Sequence, residues 1–161
     1  MNQQQQKDHV HKAGAAATEA LTAAEELCHA HGVKLTQSRR LILEILANEG
    51  RPLGAYDMIE KVAAATGKSP APVTIYRALD FLLAHGLVHK IESRNAFIAC
   101  SHAHEGEPAA LLICEGCGIV AELDSPETFS GLSRQAAAQG FRAQRTVIEM
   151  SGRCGHCAGS A

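Results

Sequence analysis

Tryptophan is missing from this chain of 161 residues, and aromatic residues of all kinds make up only 4% of it. The core must therefore be aliphatic, which a hydrophobic fraction of 46% permits. Long apolar runs are missing as well. No stretch approaches the ~18 uninterrupted apolar residues of a membrane span, and the opening MNQQQQKDHVHKAG lacks the apolar segment of a secretory signal. The chain is expected to stay in the cytoplasm, with no membrane partner. A surplus of one charge is the third absence: the net is −2, with 11 Lys and Arg against 10 Asp and Glu up to Asn95, and 4 against 7 from Ala96 onward. A nucleic acid would have to be held by a local basic patch rather than by a global field. The length suits one domain or two small ones, since compact domains commonly run ~100–150 residues.

What the chain does have is cysteine. Two CxxC pairs stand in LLICEGCGIVAEL, from Leu111 to Leu123, and in RCGHC, from Arg153 to Cys157. In a reducing compartment such pairs are metal-binding or redox-catalytic sooner than structural disulfides.

Hydrophobic spacing gives the elements that carry them. An Ala-rich segment reads as a helix from about Ala15 to His31, stopped by Gly32, and Cys28 packs within it. Thr36 caps TQSRRLILEILANEG, where Leu41, Ile42, Ile45 and Leu46 recur at helical spacing before Gly50 and Pro52. AYDMIEKVAAATG puts Tyr56, Ile59, Val62 and Ala63 on one face and stops at Gly67. Pro72, tolerated in a first turn, leads VTIYRALDFLLAHG, with Ile75, Leu79, Leu82 and Leu83 inward. LVHKIES and NAFIAC then alternate like the strands of a hairpin. Helices followed by a hairpin is the order of a winged helix-turn-helix. SHAHEGEP, from Ser101 to Pro108, is a polar linker. Beyond it come strand ALLIC, turn EGC, strand GIVAEL, a helix from Pro126 to Gln139, a strand FRAQRTVIEMSG and the second CxxC. The expected fold class is α+β: a flexible start at 1–14, a winged helix at 15–100, a hinge at 101–108 and a small α/β domain with a four-cysteine zinc site at 109–161.

Two CxxC pairs at strand-turn junctions are how a zinc ribbon is built, because one turn brings two thiolates within ~4 Å and two turns complete a tetrahedron with Zn–S of about 2.3 Å. Gly116, Gly118 and Gly155 supply the conformations such turns need. The competing readings are buried cysteines as apolar filler and a redox pair. The latter wants an exposed thiol opening a helix, which strand-flanked Cys114 does not offer. A site closed by Cys114, Cys117, Cys154 and Cys157 has no open position, so it is structural rather than catalytic. Its binding free energy becomes folding free energy for a lobe too small to be comfortable alone.

A second set of ligands remains. His89 lies in the first wing strand, Cys100 ends the second, His102 and His104 sit in the linker, and Glu122 ends the second lobe's hairpin. Zn2+ accepts such mixed ligands, and the set spans the joint between the lobes. Taken singly, the same residues also read as a polar wing residue, a small core cysteine and a solvated carboxylate. With one thiolate and one carboxylate the filled site is neutral, against a formal −2 for four thiolates. Fewer anionic ligands drawn from two lobes imply looser binding and easier release, as sensing requires.

In a helix-turn-helix the N-terminal polar residues of the recognition helix face the major groove. PVTIYRALDFL offers Thr74, Tyr76, Arg77 and Asp80 opposite Ile75 and Leu79. Arg77 suits a bidentate bond to guanine, and Tyr76 a phosphate or thymine methyl; the alternative is a solvated Arg77 paired with Asp80. Tyr56 opens the preceding helix and reaches bases or backbone, while Arg39, Arg40 and Lys90 suit phosphates.

TQSRRLILEIL, AYDMIEKV, VTIYRALDFLLAHGLVHKIES, LLICEGCG and CGHC together resemble the ferric uptake regulator family of bacterial metal-responsive repressors, from about Leu27 to Cys157. YRALDFLLAHGLVHKIESRNAFIAC is most similar to its zinc uptake regulator branch. The resemblance implies a homodimer whose second lobe is the dimerization domain, with no small-molecule substrate and no enzymatic activity. It implies two zinc ions per subunit: a structural one on Cys114, Cys117, Cys154 and Cys157, and a regulatory one on His89, Cys100, a linker histidine and Glu122. His104, farther from Cys100 than His102, folds back more easily and is the favoured linker ligand. The resemblance also implies base contacts by Tyr56 and Arg77, binding to AT-rich palindromic double-stranded operators, and repression of zinc-uptake genes. A thiolate at Cys100 shifts preference from Fe2+ toward Zn2+. The rivals are an iron or peroxide sensor of the same family and, from another class, a zinc-ribbon protein-interaction module.

Overall fold

In the computed structural model, residues 3–100 and 109–159 are described, with side chains from Ala17 onward. The chain divides into two compact units, Met1–Gly106 and Glu107–Ala161.

The first unit is built on α2 (Gln37–Glu49), whose core-facing residues are Ile42, Leu43, Leu46 and Ala47, with Leu41 and Ile45 half-buried at the margin. Thr36 holds the N-cap position, but its side chain makes no capping hydrogen bond; its carbonyl accepts from the Arg40 N–H at 2.9 Å instead. Gly50 closes the helix in the left-handed conformation, at φ 60°. α1 (Gln3–Ala30) runs back into the stretch read as a flexible start, and its Leu21, Ala24 and Cys28 pack on the same core. α3 (Ala55–Thr66) buries Ala55, Met58 and Val62. Its inner face is thus turned from the expected one, which leaves Tyr56 outside. α4 (Pro72–Ala84) buries Ile75, Ala78, Leu79 and Leu82, with Pro72 in the first turn as expected. Each large aliphatic residue buried here contributes ~1.5–3 kcal/mol relative to its exposed state.

The wing follows. β2 (Val88–Ile91) and β3 (Ala96–Ala99) pair antiparallel, with Val88 opposite Ala99 and His89 opposite Ile98. Asn95, at φ 46°, closes the short 3-10 turn Glu92–Arg94 between them. A third strand, β1 (Leu53–Gly54), adds to the other edge of β3 and completes a β1-β3-β2 sheet where a simple hairpin was expected.

The second unit carries a sheet of order β5-β4-β6. β4 (Ala110–Cys114) pairs antiparallel with β5 (Val120–Leu123) and parallel with β6 (Glu149–Gly152), the crossover running through α5 (Pro126–Ala138). The expected strand FRAQRTVIEMSG is therefore much shorter. β6 pairs with β4 from Leu111 opposite Glu149 to Cys114 opposite Gly152, and the Leu111 N–H also donates to the Ile148 carbonyl just before it, at 2.9 Å. A four-residue helix, α6 (Gly155–Ala158), ends the described chain. Few side chains are buried in this unit: Ala110, Leu111, Ile113, Cys114 and Phe129. Ile119, Leu123, Leu132, Phe141, Val147 and Met150 stand exposed.

Candidate metal centres and nucleic-acid interface

Cys114 ends β4, and Cys117 lies in the turn that leads back to β5. Parallel pairing of β6 with β4 sets Gly152 opposite Cys114, so the chain leaves the sheet beside that turn and delivers Cys154 and Cys157. The four sulfur atoms lie within 4.8 Å of one another. Cys117 Sγ and Cys154 Sγ are 3.8 Å apart, which matches the edge of about 3.8 Å that a tetrahedron with Zn–S of ~2.3 Å requires. That separation is far beyond a disulfide bond of ~2.05 Å, and all six cysteines are free thiols.

Backbone groups prepare the first thiolate. The Cys154 N–H donates to Cys114 Sγ at 3.3 Å, and the N–H groups of Cys117 and Gly116 add to it; together they draw the Cys114 thiol down to about 6. The last sulfur is opposed by its neighbours: hydrogen bonds from Cys157 to the sulfurs of Cys154, Cys117 and Cys114, in that order, push its thiol up to about 12. A cluster that forms one thiolate readily and resists the last is short of positive charge at its centre. A dication would supply that charge, so the donor set fits zinc.

Glycine matters here for two different reasons. Gly118 takes φ 74°, the left-handed conformation that ends the first turn. Gly116 is instead a matter of space: a Cβ added there would lie 2.9 Å from Cys157 Sγ and 3.1 Å from Cys157 Cβ. Gly155 has neither reason, since its φ is not positive and a Cβ would meet nothing within 4 Å. The spacing of the cysteines does not reveal the close approach at Gly116; only the second pair folding over the first creates it.

The wing holds the second group. His89 pairs with Ile98, two residues before Cys100, so the side chains of His89 and Cys100 share one face of the hairpin. The Cys100 N–H donates to the Leu87 carbonyl at 3.0 Å, which extends the ladder far enough to fix the sulfur. His89 Nε2 and Cys100 Sγ are 3.2 Å apart, with Cys100 buried and His89 half-buried. Tetrahedral zinc would hold such an N/S pair about 3.5 Å apart, so little movement separates this hydrogen bond from shared ligation. Glu122 lies on β5 in the second unit, opposite Leu111 and half-buried. His102 and His104 lie outside the described residues.

Along α4, Thr74, Tyr76, Arg77 and Asp80 are exposed, as the sequence predicts. Among the described residues Arg77 makes no ion pair with Asp80 or any other carboxylate. Tyr56, in the first turn of α3, is 81% exposed. The other basic candidates are engaged: Arg39 bonds the Lys34 carbonyl at 2.7 Å and lies 3.5 Å over the Phe81 ring, Arg40 is ion-paired with Glu25, and Lys90 meets Glu92 at 2.7 Å. The exposed Arg40–Glu25 pair is weak enough to yield to a phosphate.

Known proteins are similar to this chain in sequence and in fold. The zinc uptake regulation protein of Escherichia coli strain K12 is 35% identical over 140 residues, which cover 86% of this chain and 81% of that protein. A solved structure of a zinc uptake regulator complexed with zinc and DNA matches with a TM-score of 0.83 at 34% identity, covering 89% of this chain and 95% of its counterpart. The crystal structure of holo XcZur matches with a TM-score of 0.80 at 39% identity, covering 87% and 97%. Among the described residues no helix is long and apolar enough to cross a membrane. The model of the ferric uptake regulator family matches residues 30–151, the span that contains α2 to α5, the wing and the first cysteine pair, and the chain belongs to that family.

Proposed function

We propose that this protein is a zinc-responsive transcriptional repressor, a regulator rather than an enzyme, which binds palindromic operator DNA in the cytoplasm as a zinc-loaded homodimer and represses zinc-uptake genes. The observation that carries the reading is the His89–Cys100 pair, Nε2 to Sγ 3.2 Å, in a chain that already has a complete four-sulfur set elsewhere. One soft-ligand cluster suffices for folding; a second, with fewer thiolates, suits exchange. Relatives named for zinc uptake, and a matching structure that contains zinc and DNA, support the same reading.

Each subunit holds two zinc ions in this account. Cys114, Cys117, Cys154 and Cys157 take the structural one, and His89, Cys100, His104 and Glu122 the regulatory one. Zinc bound there would be held by Cys100 Sγ and the His89 ring and would supply the positive charge that such donors favour. The differential affinity between the two arrangements of the dimer need supply only ~1–3 kcal/mol of coupling to DNA binding. The exposed apolar residues of the second unit, Ile119, Leu123, Leu132, Phe141, Val147 and Met150, give the dimer its contact surface. α4 then presents Thr74, Tyr76 and Arg77 to the major groove, with Tyr56 beside them.

Enrichment of duplexes from a randomised library tests the reading. The zinc-loaded protein is expected to enrich a palindrome, and to lose it when buffered free zinc is lowered. Equal enrichment in Fe2+ without zinc, or none under any metal, would overturn it.

A further inference from the structure

We propose that Val73 is a base-reading residue of α4, packing on the C5-methyl group of a thymine in double-stranded DNA. The inference rests on the repressor reading above and adds a specificity residue to it.

α4 buries Ile75, Ala78, Leu79 and Leu82. Two positions before each stand Val73, Tyr76, Arg77 and Asp80, about 200° around the helix at 3.6 residues per turn, and all four are exposed. They form the outward stripe, with spacing i, i+3, i+4 and i+7. Its first member is a branched aliphatic residue, 54% exposed. Among the described residues of this unit, the other large apolar side chains standing so far out are Tyr56 at 81% and Tyr76 at 46%, in the N-terminal parts of α3 and α4. Among its described residues the unit hides its large apolar side chains everywhere except near the starts of two helices.

Neither packing nor propensity accounts for valine at this position. It contributes nothing to the core, and a β-branched residue loses χ1 freedom in a helix that Ala, Glu or Lys would keep. A recognition helix enters the major groove with its N-terminal residues toward the bases, and the one apolar group on the base edges there is the thymine methyl. Val73 lies one turn before Arg77 on the same stripe, so its two methyls reach a base adjoining the one that Arg77 bonds.

The test uses the zinc-loaded full chain and the duplex it enriches from a randomised library, with each thymine replaced in turn by uracil, which lacks only the methyl. At one thymine per half-site, wild type is expected to lose about fourfold in affinity, as for one buried methyl. Val73→Ala and Val73→Ser should bind the thymine duplex about that much more weakly and be indifferent to uracil at that position alone. Both variants should keep the zinc content and thermal stability of wild type, because the side chain is exposed. Full thymine preference at every position in Val73→Ala, or no uracil sensitivity anywhere in wild type, overturns the assignment while leaving the repressor reading intact. A wild-type protein that enriches no sequence overturns both.

Discussion

Gly116→Ala isolates the geometry of the four-cysteine site from its chemistry, because it changes no ligand. The added methyl would stand 2.9 Å from Cys157 Sγ and 3.8 Å from Cys114 Sγ. Carbon contacts are comfortable from about 3.5 Å, so Cys157 Sγ must retreat by roughly 0.6 Å. Metal–ligand distances tolerate only about 0.2 Å, which means the sulfur cannot both clear the methyl and remain a ligand without moving the turn. The Cys117 and Gly116 N–H groups that bond Cys114 sit in that same turn, so moving it loosens a second ligand. Displacing groups that orient ligands typically costs 10- to 100-fold in metal affinity, and the variant should fall toward the upper end. Competition with a chromophoric chelator measures the loss, and cobalt substitution reports whether tetrahedral thiolate geometry survives. Gly155→Ala is the matched control, since its methyl meets nothing within 4 Å. Gly116→Ala binding zinc within about threefold of Gly155→Ala would show that the close approach to Cys157 does not limit the site.

Cys100→Ser should keep one tightly held zinc per subunit and lose zinc-dependent duplex binding; equal operator affinity in the variant would sink the switch. Met58, fully buried in the first unit, should cost ~2–5 kcal/mol when truncated to Ala, read by denaturant unfolding, without altering the zinc held by the second unit. Burial in the α1 core pushes the Cys28 thiol up, with Arg39 opposing, so less thiolate forms at neutral pH and its alkylation should quicken only as pH rises past the usual thiol range. Rapid labelling of Cys28 at neutral pH in the native protein would contradict that environment.

Much of this molecule was legible from residue spacing because its signals are local. Leu41 to Leu46 and Ile75 to Leu82 repeat at helical intervals with breakers at both ends, and the structure forms α2 and α4 there. The doubled CxxC located the sulfur cluster, although only Cys114 and Cys117 sit at the expected strand-turn junction; Cys154 caps α6 and Cys157 lies within it. What escaped depends on contacts between distant segments. β1 has two residues and exists only because β3 offers it an edge. β6 has four residues, paired with Leu111 to Cys114 of β4. The inner face of α3 centres on Met58 and not Tyr56, a choice settled by what α3 packs against. The separate roles of Gly116 and Gly118 were not distinguishable in sequence, since one answers to a local φ and the other to a sulfur forty-one positions away, Cys157.

In the proposed mechanism one zinc holds the second unit together and another sets when the protein holds DNA. Zinc per subunit and affinity for the enriched duplex, measured on the same sample before and after a mild chelator, test it together. Zinc should fall from two ions per subunit to one, with the loss of sequence-selective binding and restoration of both when zinc is returned. Unchanged duplex affinity at one zinc per subunit, or departure of both ions together, would contradict it.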